Sequence, residues 1–350
     1  MIRIINVTNE RNENVNKAYL DGLQSKWNVR NDWFKIDSFD TYYGLSEVIT
    51  SGILEKSNLA QNPITKVQDF VSYETAQITF NDKIRGGCVS KDFKHPHEEF
   101  WSFSHYFKYL KGFDLQKTLS AAMAKQVTNA SEKDYHAPIQ LFVDTVKAEG
   151  VEGFEKLYTA ASELDALTLN NDRHVGNFGF LRDERGHLRL APIFDNGMAF
   201  LASNSSYTSL DQIDEMIAKK RINSLYPYEQ QKKICEELYG HQFQTTFSKD
   251  DLKKILDNAA PLYNDIQLKR AEIVTLRQLE RYKDDLVFDE LSEKNKEIAG
   301  NNVKANPVKA PLRAESLSLD ELTKSIRPAK NTQSRERNLQ IPPSFPGGRD

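Results

Sequence analysis

The sequence predicts an α+β fold in two lobes. A small strand-rich lobe covers residues 1–93, a larger helical lobe covers 94–300, and a largely disordered tail runs from 301 to 350. Three observations lead there. Short apolar runs broken by turn residues fill the first ninety-odd positions, and helical periodicity takes over from residue 98. From residue 301 the chain carries Pro307, Pro311, Pro328, Pro342, Pro343 and Pro346 with almost no aromatic residues, a composition that cannot bury a core.

Composition bounds the class. At 350 residues the chain is long enough for two lobes with a real core. A hydrophobic share of 39% against 28% charged residues reads as a soluble globular protein. The formal charge of -3 and pI of 6.2 argue against a general nucleic-acid binder, so no nucleic-acid partner is expected. Cys88 and Cys235 form no CxxC, and "HPH" at 95–97 has no third ligand at metal spacing, so thiols and histidines give no metal site. The N-terminus is too polar for a signal peptide and no run of about 18 apolar residues exists. A cytoplasmic protein without a transmembrane segment is expected; an effector exported by a non-classical route would have the same sequence.

The elements follow in order. "RIINV" (3–7) and "WFKIDSF" (33–39) read as strands, and "YYGLSEVITSGILEKSN" (42–58) as a helix with Leu45, Val48, Ile49, Gly52 and Ile53 on one face. Residues 69–80 and 83–93 read as strands joined by the tight turn "ND". Helical patterns cover 115–126, 138–149 and 153–168. "FGFL" and "LRLAP" make a short hairpin around "RDERGH". A helix at 263–283 turns Ile266, Ile273, Leu276 and Leu279 inward. In the tail, "SLDELTKSI" (318–326) fits a capping box followed by an apolar stripe, a candidate docking helix for another protein.

The chemistry concentrates in "LNNDRHVGNFGF" (169–180). Asp172 and Asn177 are spaced D-x-x-x-x-N, the spacing of phosphotransfer loops, in which the Asp accepts or orients a hydroxyl proton and the Asn oxygen ligates Mg2+. Asp195, in "IFDNG" at the far end of the hairpin, can reach the same metal, and Mg2+ asks for few protein oxygens. Asn, Asp and Gly are also turn formers, so the loop alone decides nothing; the hairpin and the second Asp do. Phosphotransfer from a nucleotide also needs a cation on the phosphates and a lid. Lys35 lies mid-strand with Glu47 on the following helix as its partner. "LDGLQSKW" (20–27) offers a lid in which Gly22 gives backbone freedom and Gln24, Ser25 and Lys26 meet phosphate. Backbone around Val89, Ser90 and Lys91, where the lobes join, is the candidate adenine contact. Arg173 and His174 are read as residues that hold the loop's shape.

These segments together resemble the HipA-like Ser/Thr kinases, closest to the compact, CtkA-type members of that family. "DGLQSK" resembles the family's phosphate loop, Lys35 its strand lysine, and "ALTLNNDRHVGNFGF" with "LAPIFDNG" its catalytic and metal-binding segments; the likeness spans residues 18–283. The resemblance implies a bilobal protein-kinase-like fold and ATP- and Mg2+-dependent phosphorylation of protein Ser/Thr, with autophosphorylation. Asp172 would be the base, Asn177 and Asp195 the metal ligands and Lys35 the ATP lysine. Larger members are toxins held by a DNA-binding antitoxin; the short stretch ahead of the phosphate loop argues against such a partner. The order "DRHxxN" is similar in phosphoinositide kinases, so a lipid acceptor is one alternative and a nucleotide-binding pseudokinase is another. The stretch after Asp195 has no Lys or Arg before Lys219, which favours a protein acceptor over an anionic headgroup. Ser25, Ser203, Ser205, Ser206 and Thr208 are candidate autophosphorylation sites, and a phosphate on Ser25 would inhibit by repelling those of ATP.

Overall fold

Two-residue turns build the first sheet. Arg30–Asn31 and Asn81–Asp82 both carry positive φ (55° and 66°, 49° and 59°), the backbone that matches the twist of antiparallel strands. They join β2 (Lys26–Val29) to β3 (Asp32–Ile36) and β4 (Tyr73–Phe80) to β5 (Lys83–Lys91). With β1 (Arg3–Asn6) the order is β1-β4-β5-β3-β2, β1 running parallel to β4 and the rest antiparallel. The computed structural model describes residues 2–10, 24–65, 67–128, 135–203, 210–219 and 225–289. Gly22, Ser205, Ser206, Thr208 and the tail with its 318–326 segment lie outside the described residues. Those described belong to one unit, residues 1–308; residues 309–350 form a second.

One face of the sheet packs Val7, Trp27, Phe34, Ala76, Ile78 and Val89. The other carries α1 (Tyr43–Glu55), which is buried on nearly every side. Its Leu45, Ile49 and Ile53 join the large core of the helical region rather than a separate small one. The close fit of α1 to β5 depends on missing side chains: a Cβ on Gly44 would lie 2.6 Å from the backbone of Gly87, and one on Gly87 2.1 Å from the carbonyl of Lys35.

The helical region comprises α2 (Leu115–Thr128), α3 (Ala137–Lys147), α4 (Phe154–Thr168), α5 (Tyr228–Tyr239), α6 (Lys249–Ala259) and α7 (Asp265–Arg281), with shorter turns between. Helix α4 is its centre, with every residue from Leu157 to Thr168 buried. The α+β class, strands first and helices after, is the one expected. Among the described residues no helix is long and apolar enough to cross a membrane.

Three expectations are corrected. The strand read at 33–39 stops at Ile36, because Asp37 turns to accept the backbone N–H of Gly44 and cap α1. The region after residue 98 is not wholly helical. β6 (Glu99–Ser102) pairs with β7 (Gly179–Arg182), so the expected hairpin of β7 and β8 (Leu188–Leu190) is one side of a three-stranded sheet. Helix α7 buries Gln267, Arg270, Ala271, Val274, Thr275, Gln278 and the expected Leu279, with Ile273 and Leu276 packed against the core, while Ile266 is 49% exposed. Its inner face is held by hydrogen bonds as much as by apolar contact: the amides of Gln267 and Gln278 donate to the carbonyls of Thr41 and Ala166 (both 3.0 Å).

Candidate active site

Three elements meet at Lys35. Its ammonium, on the buried side of β3, donates to Glu47 of α1 (2.5 Å) and to Asp195 (2.8 Å), with the Tyr73 hydroxyl at 3.4 Å. The other Glu47 oxygen accepts the backbone N–H of Asn196 (2.9 Å), so this carboxylate fixes both the lysine and the segment that carries Asp195. That segment leaves β8 and threads beside residues 69–71, with Ile193 donating to the carbonyl of Asp69 and accepting from Val71 N–H (2.6 and 2.9 Å). Phe194 wedges among Phe93 and Phe100, with ring centroids at 5.6 and 5.3 Å. Asp195 follows in a left-handed conformation, φ 59°.

The loop between α4 and β7 is held by Arg173. Its guanidinium, buried, forks onto Asp165 of α4 and reaches across to the Phe194 carbonyl (2.8 Å) and the Asn196 side-chain oxygen. Asn170 donates to the same Asp165 carboxylate (3.0 Å). One cation therefore ties the loop of Asp172 to the segment of Asp195. His174 caps the single turn Val175–Asn177: its Nδ1 accepts the N–H of Gly176 (2.9 Å), and its Nε2 lies 3.9 Å from the Asp172 carboxylate. Asn177 donates its amide to the carbonyl of Asp172, which leaves its side-chain oxygen as an acceptor for something else.

Gln24, Lys26, Tyr43, Asp172, Asp195, Gly197 and Met198 line one half-open crevice. Charge is set unevenly there. Burial would lower the pKa of Lys35, but the carboxylates of Asp195 and Glu47 outweigh it and hold the ammonium well above the ordinary lysine value. Burial would raise Asp195, but Lys35 and Lys26 hold it below the usual carboxylate range. Glu47 is raised by burial, partly offset by Lys35. Lys26 is the cross-strand partner of Lys35 and only 8% exposed, and it makes no hydrogen bond or ion pair among the described residues. A divalent cation that prefers oxygen finds suitable donors in the free oxygen of Asn177 and the carboxylate of Asp195; this set of one neutral and one anionic oxygen fits Mg2+.

The structure thus brings Gln24, Lys26, Asp172 and Asp195 to one crevice, with Lys35 and Glu47 linked to it through Asp195 and Asn177 bonded to the backbone of Asp172. Ser25 lies beside them in an adjoining hollow with Asp37, Ser38, Lys83 and Arg85. Val89, Ser90 and Lys91 are not brought to the crevice. They sit inside β5, where Val89 and Ser90 pair with β3 on one side and β4 on the other, so their backbone groups are already spent, and they line a different hollow with Arg3 and Asp32. The two glycines before them serve close packing against α1 and Tyr263 rather than a hinge. Sequence reasoning missed Tyr43, Tyr73, Met198 and Asp165. Asp165 had a signal: an acid at a buried position of a helix needs a donor or a cation, and Arg173 is close in sequence.

No protein-family model matches the chain, and no curated protein does. Among solved structures it is similar to the Helicobacter pylori proinflammatory kinase CtkA, at 15% identity and a TM-score of 0.44 over 79% of this chain and 94% of that one. It is also similar to a Shewanella oneidensis structure of the toxin–antitoxin system HipA and HipB with operator DNA, at 13% identity and a TM-score of 0.32 over 75% of this chain and 64% of that one.

Proposed function

We propose that the protein is a kinase that transfers the γ-phosphate of ATP, with Mg2+, to serine or threonine hydroxyls of a protein acceptor and of itself. The observation that carries this reading is the shared crevice. One wall holds Lys26 next to Lys35, the other holds Asp172 and Asp195, and each role in phosphoryl transfer has a side chain suited to it. Lys26 lines the crevice and, with Lys35, acts on the one carboxylate of Asp195, and a polyphosphate would offer both ammonium groups further anionic oxygens.

Lys35 is shared between Glu47 and Asp195. Phosphate oxygens compete with Asp195 for it, while Glu47 keeps it in place. Asp195, so released, and Asn177 would hold Mg2+, which supplies charge neutralisation on the phosphates. Asp172 accepts the acceptor hydroxyl's proton as the new O–P bond forms and the bond from γ-phosphorus to the β,γ-bridging oxygen breaks, ADP leaving. His174 and Arg173 act through other groups: the first steadies Asp172, the second fixes the distance between the two acidic segments.

The test is transfer from γ-labelled ATP with Mg2+ to the protein itself, to mixed protein acceptors and to phosphoinositide vesicles. Label on serine or threonine of the protein and of protein acceptors is expected, and mass spectrometry places it on the chain, Ser203 and Ser25 among the candidates. Label on lipid alone would replace the reading with a lipid kinase. Tight Mg-ATP binding with no transfer to any acceptor would replace it with a pseudokinase.

A further inference from the structure

Behind the crevice, four hydrogen bonds converge on one carboxylate that the chemistry above does not use. Asp37 is 3% exposed. One of its oxygens accepts the side-chain amide of Gln24 (2.7 Å) and the backbone N–H of Gly44 (2.8 Å). The other accepts the Gly44 N–H (3.0 Å) and the Tyr263 hydroxyl (2.7 Å). Each donor belongs to a different part of the molecule. Gln24 lines the crevice just ahead of β2, Gly44 is in the first turn of the helix that carries Glu47, and Tyr263 precedes α7 in the helical region. Room for the tyrosine is built into β5: a Cβ on Gly86 would lie 2.7 Å from its ring.

Resting on the kinase reading, we propose that Asp37 is a positioning residue for nucleotide binding, and that its ionised form locks Gln24 and α1 to Tyr263. All its partners are donors, so the carboxylate satisfies each of them, whereas a protonated carboxyl would turn a hydrogen toward one and release it. Burial raises Asp37 to about 7, opposed by the bonds from Gly44, Tyr263 and Gln24. The titratable and charged groups around it are Glu47 and Tyr43 on α1, Tyr263 before α7, Lys35 on the strand just before it, and Cys88, Lys83 and Arg85 on β5, Arg85 donating to the Asp37 carbonyl. While Asp37 stays buried, the form that keeps all four bonds is the ionised one, so the lock is closed above pH 7 and loosens locally, without exposing Asp37, as pH falls through 7.

The experiment measures two quantities from pH 6 to 8 on the full chain: Mg-ATP affinity by calorimetry, and hydrogen exchange of residues 37–47 without nucleotide, corrected for intrinsic rate. Wild type is compared with Tyr263→Phe and Asp37→Asn, the nucleotide's own titration being common to all three. Wild-type exchange should rise and affinity fall about tenfold below pH 7. Tyr263→Phe removes a bond that favours the ionised carboxyl, so its midpoint should move to higher pH. Asp37→Asn should bind weakly at every pH, with no step in exchange. If Asp37→Asn does not fold, Tyr263→Phe decides: a midpoint equal to wild type overturns the proposal. Affinity and exchange indifferent to both variants overturn it too and leave the kinase reading standing. A pH step in exchange with no ATP binding by any variant would sink the kinase reading, and the positioning role with it.

Discussion

Arg173 joins the loop of Asp172 to the segment of Asp195 by hydrogen bonds to Asp165, Phe194 and Asn196, all from one buried guanidinium. Such a pair contributes little relative to apolar packing, but breaking it strands a buried charge. Arg173→Met should therefore lower unfolding free energy by about 3–5 kcal/mol in denaturant titration, whereas Arg173→Met with Asp165→Leu should recover most of that loss and still not restore activity. Lys26 gives the opposite signature. Its side chain lines the crevice and makes no hydrogen bond or ion pair among the described residues, so Lys26→Met should leave the melting temperature nearly unchanged while Mg-ATP affinity falls about tenfold or more. A variant that loses stability and keeps affinity would contradict the assignment. At this scale the sequence was most legible where a motif fixes spacing, as for Asp172, Asn177 and Asp195. It was silent on Tyr73 and Tyr43, whose place depends on how the sheet and helix meet.

At the scale of elements, the contact of α1 with β5 sets where Glu47 meets Lys35. Glycines make that contact, and adding one methyl group there is overpacking with backbone as the obstacle. Gly87→Ala should cost about 1–3 kcal/mol by thermal or chemical unfolding and weaken ATP binding as well, because the carbonyl it strikes is that of Lys35. The same change at Gly112, where a Cβ would meet nothing within 4 Å but φ is +78°, should affect stability alone. Elements with a turn signal or long periodicity were legible: the "ND" hairpin, α1 and α4. The four-residue strands β2 and β6 were not, since "KWNV" and "EFWS" lack the apolar run that marked the equally short β1 and β7. The inward face of α7 was read in part: Leu279 is buried and Ile273 and Leu276 pack against the core, but Ile266 is exposed and Gln267 and Gln278, bonded to backbone carbonyls, share that face.

The molecule as a whole is also stapled far from the crevice. His241 bonds Glu163 of α4 and Glu236 of α5 (3.0 and 3.1 Å), and Lys232 joins Glu236 to Asp285 (both 2.8 Å). Hydrogen bonds to Glu163 and Glu236 raise His241 from 6.5 to about 10. A raised folded-state pKa means the staple is at full strength below pH 6.5 and fades as pH climbs to 10. Wild type should lose stability to denaturant over that window, and His241→Gln should be weaker at pH 7 with a flatter decline; equal slopes would show that other groups dominate. The broad plan, strands first and helices after, was readable from composition and period. The boundary at residue 93 was less so, because α1 shares its core with the helical region.

The central claim, that Asp172 serves as the base for phosphoryl transfer in the crevice it shares with Lys26 and Asp195, is tested most directly by Asp172→Asn beside wild type. Mg-ATP affinity and γ-phosphate transfer are measured on the same preparations. The account predicts that affinity stays within a few-fold while transfer falls by about 10²–10⁴-fold. Transfer at the wild-type rate by Asp172→Asn would contradict it.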